Sequence, residues 1–382
     1  MTAPSVTWSY PTIVRFGAGR IAQLAKACAA AKIHRPLFVT DRGLAEAPIT
    51  AQALDLMAAG GLGHASFTDV HGDPDGAALE AGVAAFKAGE HDGVIAFGGG
   101  AALDLGKLIA FMAGQTRPVW DFEDIGDWWT RADAERIAPI VAVPTTAGTG
   151  SEVGRAGVLT NAEVQEKKII FHPRLLPTQV ICDPELTLGL PPRMTAGTGM
   201  DALAHCVEAY CAPGFHPMSH GIALEGIRLV FGALERAVAD GSDLDARTDM
   251  MAAAMMGAVA FQKGLGGVHA LAHPLGARFK AHHGTLNAVL LPHTLRANRD
   301  AIDRPIERAA AYSGIAGGFE GFVAAVVELN ARIGMPATLG AMGIAIEDPA
   351  VIVEAALRDP SAGGNPRPFS ASLAHEILAA AA

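Results

Sequence analysis

The sequence predicts an α/β domain on a parallel sheet, followed by an all-helical domain. Three observations predict it. Short apolar runs alternate with Ala-rich, helix-compatible segments through the first half of the 382 residues, the pattern of strands linked by crossover helices. A Pro-rich break, LGLPPRM (188–194), interrupts that alternation. Beyond Pro192 every long segment has helical periodicity and no strand signal remains. The predicted domains are 1–186 and 187–382.

The elements follow in order. RPLFVTD (35–41) is an apolar strand ending in Asp41, and AAGGLGHASFTDV (58–70) holds a second strand. HDGVIAFGGG (91–100) is a third, closed by three glycines, IAPIVAVPTT (137–146) a fourth, and TQVICDP (178–184) the last. IAQLAKACAAAK (21–32), DGAALEAGVAAFKAG (75–89) and AALDLGKLIAFMAG (101–114) read as the helices between them. In the second half, MTAGTGMDALAHCVEAYCA, HGIALEGIRLVFGALERAVAD, ARTDMMAAAMMGAVAFQKG and FEGFVAAVVELNARIG read as amphipathic or buried helices.

Composition removes several classes of function. The net charge is −10 and no Lys/Arg run stands out, which argues against nucleic acid and anionic membranes. No apolar stretch is long enough to span a bilayer, and MTAPSVTWSYPTIVRFGAGR has no apolar core of a secretory signal. Cys28, Cys182, Cys206 and Cys211 include no CxxC pair, so they read as reduced thiols in a cytoplasmic protein. The charged fraction is only 18%, so part of the surface is expected to be buried in a homo-oligomer.

Gly98, Gly99 and Gly100 sit between a strand and a helix, where open backbone N–H groups and the helix N-terminus suit a diphosphate. PTTAGTGSE (144–152) places Thr145, Thr146 and Thr149 just past an apolar strand, where hydroxyls suit a phosphate, ribose or nicotinamide. A carboxylate at Asp41, ending the first strand, suits a ribose 2′-hydroxyl and repels a 2′-phosphate. Three look-alikes fail. Gly197-Thr198-Gly199-Met200-Asp201-Ala202 has the GxGxxA spacing but follows a Pro break instead of a strand. Gly106-Lys107 lacks the rest of a P-loop, and Gly17-Ala18-Gly19 lacks its third glycine.

The second half concentrates histidine. Of 14 His, five (His269, His273, His282, His283, His293) fall within 25 residues. Asp201 and His205 share a helix face, as do His269 and His273. Asp201, His205, His269 and His283 make an Asp/His₃ set of oxygen and nitrogen donors, compatible with Fe²⁺, Zn²⁺, Mn²⁺ or Co²⁺. It contains no thiolate, unlike structural zinc clusters.

These motifs resemble the iron-containing (group III) alcohol dehydrogenase family over nearly the whole chain. Its pattern of Asp-x₃-His, then His-x₃-His-Pro-x-Gly, then His-Gly, is matched by Asp201/His205, His269/His273-Pro274-Leu275-Gly276 and His283-Gly284. The resemblance implies a dehydroquinate synthase-like architecture with a Rossmann-like, dinucleotide-binding N-terminal domain. It implies metal ligands at Asp201, His205, His269 and His283, Fe²⁺ ahead of Zn²⁺, and a catalytic proton-relay role for His273. Cofactor contacts carry over to Gly98, Gly99, Gly100, Asp104 and Thr145 to Thr149, and to Lys167. Asn365-Pro366-Arg367-Pro368 near the C-terminus is also similar to family members. Two departures are Ala101, where the family usually has Ser, and Asp73-Pro74, where Asn-Pro is common.

The implied activity is NAD(P)-linked oxidation of a small primary alcohol, or reduction of an aldehyde, with NAD ahead of NADP because of Asp41. Lys263 and Arg155 hint at an anionic substrate, an ω-hydroxy acid or its semialdehyde. Two alternatives are a metal-dependent, NAD-using lyase of the dehydroquinate synthase type and a maleylacetate-reductase-like enzyme. Homodimers are common in the family.

Overall fold

The computed structural model describes residues 9, 10, 12–63, 65–164 and 166–382. Residues 1–8 and 11, which belong to the N-terminal segment read for a secretory signal, lie outside them. The chain divides into two compact units. One holds the described residues from Thr12 to Thr146 with Gly150–Leu188; the other holds Gly189–Ala382, the Ala147–Thr149 piece and Ser9–Tyr10.

The first unit is a six-stranded parallel sheet. Its strands are β1 (Ile13–Phe16), β2 (Pro36–Val39), β3 (Ala65–Phe67), β4 (Gly93–Gly98), β5 (Ile140–Pro144) and, last in the chain, β8 (Gln179–Cys182), in the order β1-β8-β5-β4-β2-β3. Side-chain alternation along β2, β4 and β5 feeds two cores. Leu37, Val39, Val94, Ala96, Ile140 and Ala142 face helices α3 (Gly76–Ala88) and α4 (Gly100–Met112). Phe38, Ile95, Phe97, Val141 and Val143 face α1 (Leu24–Ala30) and α2 (Pro48–Ala59). Both faces are covered, so these strands read as continuous apolar runs. β6 (Ala156–Asn161) and β7 (Glu166–Phe171) form a separate antiparallel hairpin.

Strand order locates a crevice. The chain runs from β2 outward to β3, then returns to β4 on the other side of β2. At such a reversal the connections leave the carboxyl ends of β2 and β4 in opposite directions, which opens a ligand crevice. Asp41 follows β2, and Gly98 ends β4 with Gly99 and Gly100 just beyond it.

The second unit is helical: α5 (Pro192–Cys211), α6 (Pro217–Ala239), α7 (Leu244–Ala260), α8 (Gly267–Phe279), α9 (His283–Ala297), α10 (Arg299–Tyr312), α11 (Gly318–Arg332), α12 (Pro349–Arg358) and α13 (Ala371–Ala381). α5 is its central element: from Ala202 to Tyr210 every residue is buried. The glycines of the look-alike GxGxxA lie in α5 and serve packing. A Cβ at Gly197 would lie 2.5 Å from the His282 ring, and one at Gly284 would lie 1.9 Å from the Gly197 carbonyl oxygen. α5 and the start of α9 therefore touch backbone to backbone, which brings Asp201 and His205 up to His283.

Elements that went unread in the sequence include β1, β6, β7 and α2 in the first unit and α9, α10, α12 and α13 in the second. β1 is a four-residue edge strand with Ile13 exposed. The β6–β7 hairpin mixes polar and apolar residues and buries few side chains, among them Leu159 and Ile170. α2 has its Pro at the first turn but no capping side chain. No helix among the described residues is long and apolar enough to cross a membrane. All four cysteines are free thiols.

Candidate functional site

In the helical unit, α5, α8 and α9 bring four side chains to one point. The Nε2 atoms of His205, His269 and His283 lie 3.6, 3.6 and 3.5 Å from a single oxygen, Asp201 Oδ1. Asp201, His205 and His269 are buried and offer one donor atom each, all within 4.8 Å of one another. A tetrahedral cation with bonds of ~2.1 Å spaces its ligand atoms about 3.4 Å apart. The carboxylate-to-imidazole spacings are close to that edge length, and the donors are those a divalent borderline cation takes. The residues fit a metal.

The rings are held tightly. His205 stacks on His269 (4.7 Å, 15°) and meets Phe261 edge-on at 5.1 Å. His273 stacks on His283 (5.4 Å, 13°). Burial raises the Asp201 pKa, but the neighbouring imidazoles outweigh it and hold the carboxyl far below its usual range. Burial pushes His205 down to about 4, so its ring is neutral. Burial opposes charge on His269 too, yet the Glu208 and Asp201 carboxylates raise it to about 10. A cation at the Nε2 atoms would displace that proton.

Three residues complete the cluster that sequence reading missed. Glu208 Oε2 accepts from His269 Nδ1 at 2.5 Å, and its Oε1 accepts from the Val268 backbone N–H at 2.7 Å. Asp359 Oδ2 accepts from His273 Nδ1 at 2.7 Å and lies in the loop after α12. Asn287, one turn past His283, donates to Asp201 Oδ1 at 2.8 Å and lies 3.3 and 3.2 Å from the His269 and His283 Nε2 atoms. Glu208 and Asn287 had a signal, since they continue the faces of Asp201/His205 and His283. Asp359 had none, because 86 residues separate it from His273.

The Asn365 motif supports the same helix. Asn365 Oδ1 accepts from the Gly267 N–H at 3.1 Å, and its amide pairs reciprocally with that of Asn298 at 2.8 and 3.0 Å. Gly266 has no side chain to cap α8, so Asn365 and Glu208 satisfy its first N–H groups. Cys206 is turned to the Ala253 carbonyl, and burial pushes its thiol up to about 12, so it is inert.

In the α/β unit, Gly98 has φ +145°, where a side chain would be strained, and a Cβ there would lie 2.8 Å from Ala102 Cβ and 3.3 Å from Asp41 Oδ2. Asp41 also accepts from the Leu44 N–H at 3.0 Å. No side chain caps α4 at Gly99, so its first N–H groups stay available for an anion. Thr145 donates its N–H to the Gly98 carbonyl at 2.9 Å, and a Cβ at Gly99 would lie 3.3 Å from Thr146 Cγ2. Asp41, Gly98, Gly99 and Thr146 thus come together at the crevice.

Other expected residues lie elsewhere. Thr149 groups with the helical unit, apart from Thr145 and Thr146. Asp104 binds the Val158 N–H (3.1 Å), Ser151 Oγ and Lys107 Nζ (3.2 Å), tying α4 to β6. Lys167 is paired with Asp73 at 2.8 Å. Lys263 donates to the Tyr210 carbonyl (3.1 Å) and to His220 Nε2 (2.6 Å), and burial lowers its pKa to about 8. The Arg155 guanidinium lies 5.4 Å above the Phe171 ring.

A parallel-sheet unit with an open helix N-terminus, and a helical unit with a largely buried Asp/His₃ cluster, fit a metal- and dinucleotide-dependent enzyme. Residues 11–184 match the family model for iron-containing alcohol dehydrogenase, and residues 195–382 match that for the C-terminal part of the Fe-containing alcohol dehydrogenase family. The chain is 40% identical over 373 residues to a 4-hydroxybutyrate dehydrogenase of Cupriavidus necator, covering 95% of this chain and 96% of that one. It is similar to a crystal structure of 1,3-propanediol oxidoreductase, with a TM-score of 0.94 and 35% identity over 99% of this chain and 100% of the other. It is also similar to sulfoacetaldehyde reductase from Bifidobacterium kashiwanohense in complex with NAD⁺, with a TM-score of 0.89 and 29% identity over 99% of both chains. The chain belongs to the iron-containing alcohol dehydrogenase family and is an oxidoreductase acting on CH–OH groups. These relatives support that reading over a lyase of the dehydroquinate synthase type.

Proposed function

We propose that this chain moves a hydride between a nicotinamide dinucleotide and a short ω-hydroxy acid or its semialdehyde. The observation that carries the chemistry is the approach of three imidazole Nε2 atoms to one oxygen of Asp201 at 3.5–3.6 Å. The 40% identity to a 4-hydroxybutyrate dehydrogenase supports an acid substrate. The NAD⁺ complex of the sulfoacetaldehyde reductase supports the cofactor. Asp41, beside Gly98, favours NAD over NADP because its carboxylate repels a 2′-phosphate.

Asp201, His205, His269 and His283 hold a divalent cation, Fe²⁺ ahead of Zn²⁺. The cation supplies Lewis acidity toward the substrate oxygen, and the nicotinamide supplies the hydride acceptor or donor. His273, whose Nδ1–H is given to Asp359, keeps Nε2 to take up or return the hydroxyl proton. Gly98, Gly99, Gly100 and the α4 N-terminus receive the diphosphate. Asp104 keeps that helix in place, and Thr145, Thr146, Thr149 and Lys167 are further cofactor contacts. The four free thiols and the low charge fraction agree with a cytoplasmic homo-oligomer.

Lys263, in the same unit as the metal centre, is the candidate for the substrate carboxylate; Arg155 is the second candidate. Steady-state kinetics with 4-hydroxybutyrate and with a neutral alcohol of equal length test the substrate class. The acid is expected to be preferred with NAD⁺. A charge-assisted hydrogen bond contributes ~1.5–3 kcal/mol, so Lys263→Ala should raise KM for the acid about 10-fold or more and leave the neutral alcohol nearly unchanged. An unchanged KM ratio removes the carboxylate contact. Equal specificity constants for NAD⁺ and NADP⁺ remove the role of Asp41.

A further inference from the structure

We infer that Glu208 is a positioning residue of the metal centre, resting on the metal reading above: it fixes the tautomer in which His269 can act as a ligand. Glu208 is on α5, seven residues past Asp201 and three past His205, and is buried with a side-chain exposure of 6%. Its contacts face α8, with Oε1 on the Val268 N–H at 2.7 Å and Oε2 on His269 Nδ1 at 2.5 Å. No Lys or Arg forms an ion pair with it among the described residues. A buried carboxylate without a cationic side chain is costly, so its negative charge has to be answered by something else nearby.

The geometry supplies the answer through His269. A carboxylate can only accept, so Nδ1 keeps its hydrogen, and the proton a cation displaces comes from Nε2, 3.6 Å from Asp201 Oδ1; the ring then presents its Nε2 lone pair to the centre. That is the tautomer a cation needs. The opposite tautomer would aim an N–H at the point on which the other Nε2 atoms converge. A carboxylate behind a ligating imidazole also raises its basicity and fixes its ring plane.

The isosteric variant separates this role from simple helix capping. Glu208→Gln can still offer its Oε1 to the Val268 N–H. Its amide NH₂ then faces His269 Nδ1 and forces the hydrogen onto Nε2. Zn²⁺ titration against a chromophoric chelator, on metal-free wild type and variant, reads the effect. The expected result is a 10- to 100-fold weaker Zn²⁺ affinity in Glu208→Gln, with superimposable thermal unfolding of the two metal-free proteins. Equal Zn²⁺ affinity in a folded variant overturns the inference and leaves the metal reading standing. A wild type that takes up no Zn²⁺ or Fe²⁺ overturns the metal reading, and this inference with it. Should the variant fail to fold, ¹⁵N-histidine NMR of Zn²⁺-loaded wild type decides. A protonated Nδ1 and a metallated Nε2 on His269 are expected, and the reverse assignment overturns the proposal.

Discussion

His269→Ala and His283→Ala are each expected to lose bound metal and turnover together. Each imidazole is one of three whose Nε2 approaches Asp201 Oδ1 at 3.5–3.6 Å, so removing either opens a side of the centre. Lewis-acid stabilisation is worth several kcal/mol, and 1.36 kcal/mol is tenfold in rate. The fall in kcat/KM should therefore be about 10³-fold or more, with metal content per chain dropping in parallel. The two variants differ in stability. His283 keeps 26% of its side chain exposed, whereas His269 is buried against Glu208. His269→Ala leaves the Glu208 carboxylate buried without its partner and should unfold at lower temperature, while His283→Ala should unfold near the metal-free wild type. Metal analysis beside steady-state kinetics checks the first claim. Full activity in either variant would remove that residue from the ligand set.

The second large effect falls on His273 and its partner. His273→Ala should lower kcat/KM ~10²- to 10⁴-fold, the range for loss of a positioned proton acceptor, with metal content unchanged because His273 lies outside the proposed ligand set. Asp359→Asn keeps the side-chain shape, but its amide can turn an N–H toward His273 Nδ1. The ring would then carry its hydrogen on Nε2 and could no longer accept the substrate proton, so a similar loss is expected. Asp359 also accepts from the Ser361 N–H at 2.8 Å, and His273→Gln tests whether that loop alone is responsible. His273→Gln should keep the loop and lose the rate. Turnover within about threefold of wild type in His273→Ala would end the relay role.

Much of this was legible in the chain because periodicity and spacing are local. Asp201 and His205 are four apart on one helix, and the run from His269 to His283 was dense enough to stand out. β2, β4, β5 and β8 were legible because they are buried on both faces and therefore continuously apolar. What stayed hidden depends on contacts distant in sequence. Asp359 reaches His273 across 86 positions. Glu208 lies on a predicted helix and Asn287 on α9, which went unread, and nothing in a single helix says which imidazole a carboxylate or amide will meet. The reading of Asp104 as a cofactor contact and of Lys167 as facing the cofactor came from resemblance. The structure adds the partners that resemblance leaves out: Val158, Ser151 and Lys107 for the first, Asp73 for the second. The glycines at 197 and 199 show the converse case, a motif explained by helix packing once its environment is known.

The Asp/His₃ centre is expected to work only with a divalent cation in it. The most direct measurement is turnover of 4-hydroxybutyrate with NAD⁺ by protein stripped of metal, followed by titration with Fe²⁺ or Zn²⁺ under anaerobic conditions. Activity is expected to be lost on stripping and to return in proportion to added metal, saturating near one equivalent per chain. Undiminished turnover by protein shown to be metal-free would contradict the account.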